Sequence, residues 1–294
     1  YNMDPRDVER KITPRTRALL LIHLFGNPCD MDAMTEISTR HGIPIIEDCS
    51  QAHLTEYKGR LLGTFGDLAC FSLQQSKHMT TGDGGITITN RDDLERRMRL
   101  FRDKGWTTEP GWGRKSYEFL APNYRMTELQ AAVGLAQLEK VAAVVQRRHE
   151  LGSLLSDLIR EAPGIRPAPV TPGGKHSYWA YSFPVTDGSA DEFAAALKAE
   201  GIPAGAHYTV EPIYRCMDAL SQKKTFGASG HPFDGCHGAG PVEYPKGLCP
   251  RAEAALDHIV GMTIHEGFTE EDIRDIGRAI RKVAEGLARK REAV

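Results

Sequence analysis

Short apolar runs alternate with amphipathic stretches through the first half of the chain, as buried strands do between helices. Ala18 to His23 reads as a buried strand. Asp30 offers an N-cap for a helix from Met31 to His41, which Gly42 stops. Pro44 to Asp48, Leu68 to Ser72 and Ile86 to Thr89 are further predicted strands, the last of them reached through Gly84-Gly85. Asp92 to Phe101 is a predicted helix, capped by Asn90 or Asp92. From Thr127 to about Glu161, apolar residues such as Leu129, Val133, Leu138, Val141 and Val145 recur near the 3.6-residue period. A helix of that length can bridge two domains. Beyond it the pattern gives a strand at Ser177 to Val185 and a helix from Ala190 to Glu200 that ends at Gly201. Further helices are predicted at Arg251 to Ile259 and Glu270 to Ala288, after a long Gly-, Pro- and His-rich loop from Gly227 to Gly247. The expected organisation is an α/β large domain over residues 1–145 and a smaller α+β domain over 146–294.

Composition narrows the functional classes. A length of 294 residues suffices for one large core and a smaller one. Lys+Arg 37 against Asp+Glu 39 gives a net charge of −2, without a basic block or an acidic tail. Neither nucleic acid nor an anionic membrane surface is favoured as a partner. The longest strongly apolar stretch, Ala18 to Ile22, is far too short to span a bilayer. No signal-peptide pattern stands at the start, so a reducing cytoplasm is the expected compartment. The six cysteines lack short paired spacing; Cys49 and Cys70 lie in apolar runs and are expected to be buried. Cys236-His237 has no second ligand pair and does not read as a zinc site. The chain opens at Tyr1 without an initiator Met, and the expectation is an incomplete copy of a longer protein.

The chemistry concentrates at two strand ends. Asp48 closes the predicted strand Pro44-Ile45-Ile46-Glu47, and Lys77 follows Phe71-Ser72 and precedes the turn Gly82-Asp83-Gly84-Gly85. An Asp with a Lys is the pair that pyridoxal phosphate (PLP) requires: the amine bonds the aldehyde, and the acid keeps the pyridine nitrogen protonated so that the ring accepts electrons. Partial desolvation would depress the lysine's pKa and make it a usable nucleophile and proton carrier. Plainer readings stand beside these. Lys77 can be a surface lysine, Asp48 a turn cap, and Ser72 a strand-end hydroxyl rather than a phosphate ligand.

Taken together the motifs are recognisable. Glu47-Asp48-Cys49-Ser50-Gln51-Ala52-His53, Tyr57-Lys58-Gly59-Arg60, Gly63-Thr64-Phe65-Gly66-Asp67, Phe71-Ser72, Ser76-Lys77, Gly82-Asp83-Gly84-Gly85 and Asn123-Tyr124-Arg125-Met126-Thr127-Glu128 closely resemble the DegT-type sugar aminotransferases. The match runs in order from about His23 to Glu139 and more weakly to the C-terminus. The resemblance implies PLP-dependent transferase fold type I, with a mixed, mostly parallel sheet. It implies that Lys77 bonds the cofactor and moves the proton, and that Asp48 partners the pyridine nitrogen. It further implies that Gln51 lies beside the ring hydroxyl, that Ser72 holds phosphate, and that Asn123 reaches the phosphate of a neighbouring subunit's cofactor. The last role implies a homodimer with shared active sites. A dehydratase branch has His in place of the lysine. Here Lys77 keeps that position and His78, expected to be a packed residue, only follows it. The family's upstream glycine-serine/threonine turn and ring-stacking residue are not found before Asp48.

The implied reaction transfers an amino group from glutamate or glutamine to a keto-sugar or keto-cyclitol. Gln75, where many sugar-nucleotide enzymes carry proline, points towards the cyclitol branch, and His207-Tyr208 and Tyr214-Arg215 fall where substrate-facing loops are expected. The alternatives are a PLP-dependent sugar dehydratase and a non-catalytic, truncated family member.

Overall fold

The computed structural model describes residues 1–107, 116–225, 227–234 and 243–293. Helix α1 (Pro5–Lys11) begins with proline just inside an Asp4 cap, whose carboxylate accepts the Arg6 N–H. Strand β1 (Leu19–Ile22) runs into a single 3₁₀ turn (Leu24–Gly26) and then helix α2 (Met31–His41). Asp30 caps α2 and Gly42 ends it in the left-handed region, both as the sequence predicts. Next come β2 (Ile45–Asp48), the short hairpin β3 (Glu56–Tyr57) and β4 (Arg60–Leu61), and then β5 (Leu68–Ser72), β6 (Gly85–Ile88) and α3 (Asp92–Arg102).

The first sheet has the order β1-β2-β5-β6. β1, β2 and β5 are parallel, and β6 returns antiparallel beside β5. Parallel strands bring their C-terminal ends to one edge, where α/β sheets place their ligands. That geometry sets Ile22 beside Asp48 and Asp48 beside Cys70, with Ser72 opposite Gly85 at the start of β6. The core behind this edge is built from Leu21, Met31, Met34, Ile45, Cys49 and Ala69 with their neighbours.

Helix α4 (Glu128–Leu158) starts at a capping box in which Thr127 and Gln130 bond reciprocally. Its middle packs Val141 and Val145 against Leu73 and Met79. Its last turns carry Leu151 and Leu155 into a second core. That core lies under the antiparallel sheet β8-β10-β9, formed by β8 (Tyr181–Pro184), β9 (Ala204–Ala206) and β10 (Ile259–Met262). Helices α5 (Ala190–Ala199) and α9 (Glu270–Glu292) cover it, with α6 (Ile213–Cys216), α7 (Asp218–Ser221) and α8 (Pro250–Asp257) at its margin. One further strand, β7 (Gly174–Lys175), leaves this half and pairs with β3 of the first.

Four local expectations change. Neither Asn90 nor Asp92 caps α3; Arg91 holds the N-cap in extended geometry, because its guanidinium is engaged by Asp67 and Asp93. The helix expected to reach Ile259 stops at Asp257, since Ile259 opens β10, the central strand of the second sheet. The strand expected from Ser177 is confined to Tyr181–Pro184, because Ser177 and Trp179 donate their N–H groups to Gly26 and Phe25 instead. Cys49 is buried, but Cys70 is only half-buried, on a strand whose other neighbour is the exposed β6. The Cys236-His237 pair lies outside the described residues.

Candidate active site

Asp48 ends β2 and Lys77 follows β5 by five residues, so the parallel arrangement alone brings them to one edge. Asp48 Oδ1 accepts the Ser50 N–H at 3.0 Å. The turn to Lys77 is folded around the Gln74 carboxamide. Its oxygen accepts the Ser76 N–H at 2.8 Å and the Ser76 hydroxyl at 2.6 Å, while the Lys77 N–H donates to the Gln74 carbonyl at 3.0 Å. Burial lowers the pKa of Lys77, and the nearby Asp48 carboxylate partly restores it. Ser72, at the end of β5, accepts the Gln74 N–H at 3.3 Å and stays half-exposed on the same edge. Gln51 faces two ways: its oxygen accepts the Phe25 N–H at 2.7 Å and its amide donates to the Tyr208 hydroxyl at 3.2 Å.

His53 and His78 lie behind this edge with their ring centroids 5.7 Å apart. Burial first, then the charge of Lys77, pushes the pKa of His53 down to about 4. His78 is fixed through Nε2 to the Ser177 carbonyl at 3.0 Å, and burial drives its pKa to about 3. It is a packed side chain, as expected, whose burial disfavours the charged form.

Glu47, the residue before Asp48, points the other way into full burial. Its carboxylate accepts the N–H groups of Gly63 at 2.7 Å, Phe65 at 2.8 Å and Gly66 at 2.7 Å, and meets His23 Nε2 at 3.3 Å. His23 Nδ1 accepts the Cys29 N–H at 3.1 Å, which fixes Nε2 as the protonated nitrogen towards Glu47. Burial alone would raise the Glu47 pKa, but His23 and the Gly63 and Gly66 amides outweigh it and leave the group ionised. This network explains why the Gly63-to-Asp67 motif accompanies the Glu-Asp pair. Cys49 Sγ lies close enough to His23 and Glu47 to suggest three metal ligands. Both His23 nitrogens and all of Glu47's favourable acceptor directions are already committed, so the cluster is a satisfied hydrogen-bond network.

The sequence did not single out the aromatic wall of the site. Phe25 has a left-handed backbone, followed by Gly26 with φ +93, where a Cβ would run into the Ser177 hydroxyl. That tight turn lets Ser177 to Trp179, from far along the chain, lie against it. Tyr208 from the second half meets Phe25 edge-on at 4.8 Å and Trp179 edge-on at 6.5 Å. The Lys77 Nζ sits 4.3 Å from the centroid of the Trp179 ring. His207 positions Tyr208: its two nitrogens face the Leu256 carbonyl and Asp191, both at 2.9 Å, and its pKa is raised chiefly by the Asp191 hydrogen bond. Only His207-Tyr208 carried a signal in the sequence. The Tyr214 phenol donates to Glu253 at 2.6 Å.

Asn123 stands apart from the other expected residues. It is exposed, pairs with Asp103 in an isolated bridge, and accepts the Arg125 N–H at 3.3 Å. Nearby, Leu120, Leu129 and Leu135 are largely exposed apolar side chains. The donor set at the sheet edge fits a pyridoxal phosphate. A desolvated amine, a carboxylate, a strand-end hydroxyl and a carboxamide occupy a single edge, and among the described residues the two buried His53 nitrogens lack hydrogen-bond partners.

Comparison with known proteins carries the same pattern over the whole chain. The chain is 35% identical over 293 residues to an L-glutamine:2-deoxy-scyllo-inosose aminotransferase of Micromonospora echinospora, covering 96% of this chain and 68% of that protein. It is 34% identical to the dTDP-3-amino-3,4,6-trideoxy-alpha-D-glucose transaminase of Streptomyces venezuelae, again covering 96% and 68%. The crystal structure of S. venezuelae DesV superposes with a TM-score of 0.81 at 31% identity, covering 97% of this chain and 69% of that one. Among the described residues no helix is long and apolar enough to cross a membrane. A family model matches residues 1–229, and with these relatives it places the chain in the DegT/DnrJ/EryC1/StrS aminotransferase family, with the fold of the PLP-dependent aminotransferases.

Proposed function

We propose that this chain is a PLP-dependent aminotransferase that moves an amino group from glutamate or glutamine to the ketone of a keto-cyclitol or keto-sugar. The observation that carries the reading is the meeting of Lys77 and Asp48 at one sheet edge, with the lysine desolvated and the acid beside it. Bound PLP would supply an electron sink for the carbanion formed when a substrate carbon loses its proton. Asp48 would hold the pyridine N–H, Gln51 the ring hydroxyl and Ser72 the phosphate. Lys77 would hold the cofactor through its amine and, when free of it, would carry the proton that the transfer moves. Its lowered pKa favours the neutral amine that this transfer needs. The neutral, packed His78 supports transamination over dehydration, since the amine and not an imidazole faces the site.

The cyclitol reading draws on the names of similar proteins, three of which are L-glutamine:2-deoxy-scyllo-inosose aminotransferases. Exposed Asn123 and the apolar start of α4 support a second subunit completing the site. The test combines borohydride trapping of the PLP-loaded protein with peptide mapping and a donor-by-acceptor assay. A tag on Lys77 and amination of 2-deoxy-scyllo-inosose by glutamine are expected. A tag elsewhere, or turnover only of nucleotide-linked keto-sugars, overturns the cofactor or the cyclitol part respectively.

A further inference from the structure

Trp179 takes no part in the reaction as described, yet both of its N–H groups are held by backbone carbonyls at the site edge. Its backbone N–H donates to the Phe25 carbonyl at 2.9 Å, and its indole N–H donates to the Ser76 carbonyl at 2.9 Å. Ser76 immediately precedes Lys77, so the indole is tied to the backbone that carries the amine. The Lys77 Nζ lies over the ring face, 4.3 Å from its centroid, well inside the range of a cation–π contact. Tyr208 closes the outer edge of the indole. The charged or titratable groups that face Lys77 are Asp48 from β2 and His53 from the segment after it.

We propose that Trp179 is a positioning residue for Lys77, its ring face seating the side-chain nitrogen when it is not bonded to the cofactor and holding it most strongly in the ammonium form. This rests on the reading of Lys77 as the cofactor-bonding amine. An unbonded lysine is a flexible four-carbon stem with a compact charge, and without a seat it samples many rotamers. The indole face favours the charged form and opposes the burial that favours the neutral one. It keeps the nitrogen over the site during the half-reaction in which the substrate nitrogen has displaced it. The carboxylate of Asp48 also attracts the ammonium, but Asp48 is expected to be engaged with the cofactor ring, whereas the face of the indole is turned to Lys77.

The test measures the pH midpoint of Lys77 trinitrophenylation in the cofactor-free chain, read by peptide mass spectrometry. Wild type is compared with Trp179→Phe and Trp179→Leu. Leucine keeps the site apolar and removes the π face; phenylalanine keeps a weaker one. The expected order of midpoints is Trp above Phe above Leu, with Leu about one pH unit below wild type, or about tenfold more reactive at fixed pH below the midpoint. Coincident midpoints, or a higher midpoint in the Leu variant, overturn the proposal. Should the Leu variant fail to fold, a Phe midpoint below wild type supports it and an unshifted one overturns it. In the loaded enzyme the expected effect is a lower kcat at nearly unchanged KM for the amino donor, partly restored by Phe. Absence of a borohydride tag on Lys77 would instead sink the cofactor reading and leave the order of midpoints standing.

Discussion

Glu47 and Asp48 are adjacent acids on one strand, and they have opposite fates. Strand alternation sends Glu47 into the interior, where three backbone amides and His23 occupy its oxygens. Asp48 remains half-exposed at the sheet edge and, among the described residues, accepts one hydrogen bond, from Ser50. A buried charge is tolerated when every lone pair is met, and it then fixes the backbone around it. A charge with an oxygen to spare at a ligand edge is available for chemistry. The saturated acid shapes the turn from Gly63 to Gly66; the unsaturated one is the acid proposed to meet the cofactor.

Substitutions on each side sharpen or break that contrast. The largest effect is expected from Asp48→Asn, which keeps size and the Ser50 contact but cannot hold a pyridine N–H as an anion. Turnover should fall by about 10²–10⁴-fold with the urea midpoint almost unmoved. A variant that unfolds instead would make Asp48 structural and erase the difference between the two acids.

Glu47→Ala should do the reverse. It strands buried N–H groups at Gly63, Phe65 and Gly66 and the His23 ring, and is expected to cost about 3–5 kcal/mol in urea unfolding. Glu47→Gln gives the pH signature. The folded Glu47 pKa lies below its ordinary 4.5, so its contribution is present above about pH 4.5 and is lost as pH falls through the folded value. The stability gap between wild type and Gln should therefore narrow towards low pH. A gap that stays constant down to pH 3 would mean that the carboxylate's charge is not what the network uses.

The smallest effect concerns the far wall of the site. The raised pKa of His207 means that its ion pair with Asp191 stabilises the fold below its ordinary 6.5, and that this is lost as pH rises through the folded value. Because Asp191 is largely exposed, the effect is small. His207→Gln should raise KM for the keto acceptor modestly near pH 6 and lose that difference by about pH 8.5. An equal effect at both pH values would assign His207 a role independent of its charge.

Periodicity was sufficient for much of the fold. Helix α2 was legible to the residue, because Asp30 and Gly42 cap it with local chemistry. β2 and β5 were legible as apolar runs with Asp48 and Ser72 at their ends, the strand-end position singled out Lys77, and the family resemblance singled out Gln51. β10 was hidden because Ile259 to Met262 follows a helical pattern without a break, and only its position between β8 and β9 makes it a strand. Glu47 looked like one more acid beside Asp48, since nothing local shows that three amides from residues 63–66 will meet it.

The sequence by itself determined what depends on neighbours along the chain: helix caps, apolar strands, the acid and the amine at strand ends. The tertiary structure alone decided what depends on distant segments meeting. It buried Glu47 against His23, laid Trp179 over Lys77, and brought Tyr208 to Gln51 across 157 positions of sequence. The physical reason is that capping and periodicity act within a few residues. The packing of an indole over an amine is set by the turn at Phe25–Gly26 and the chain that docks on it, and neither is written beside Lys77.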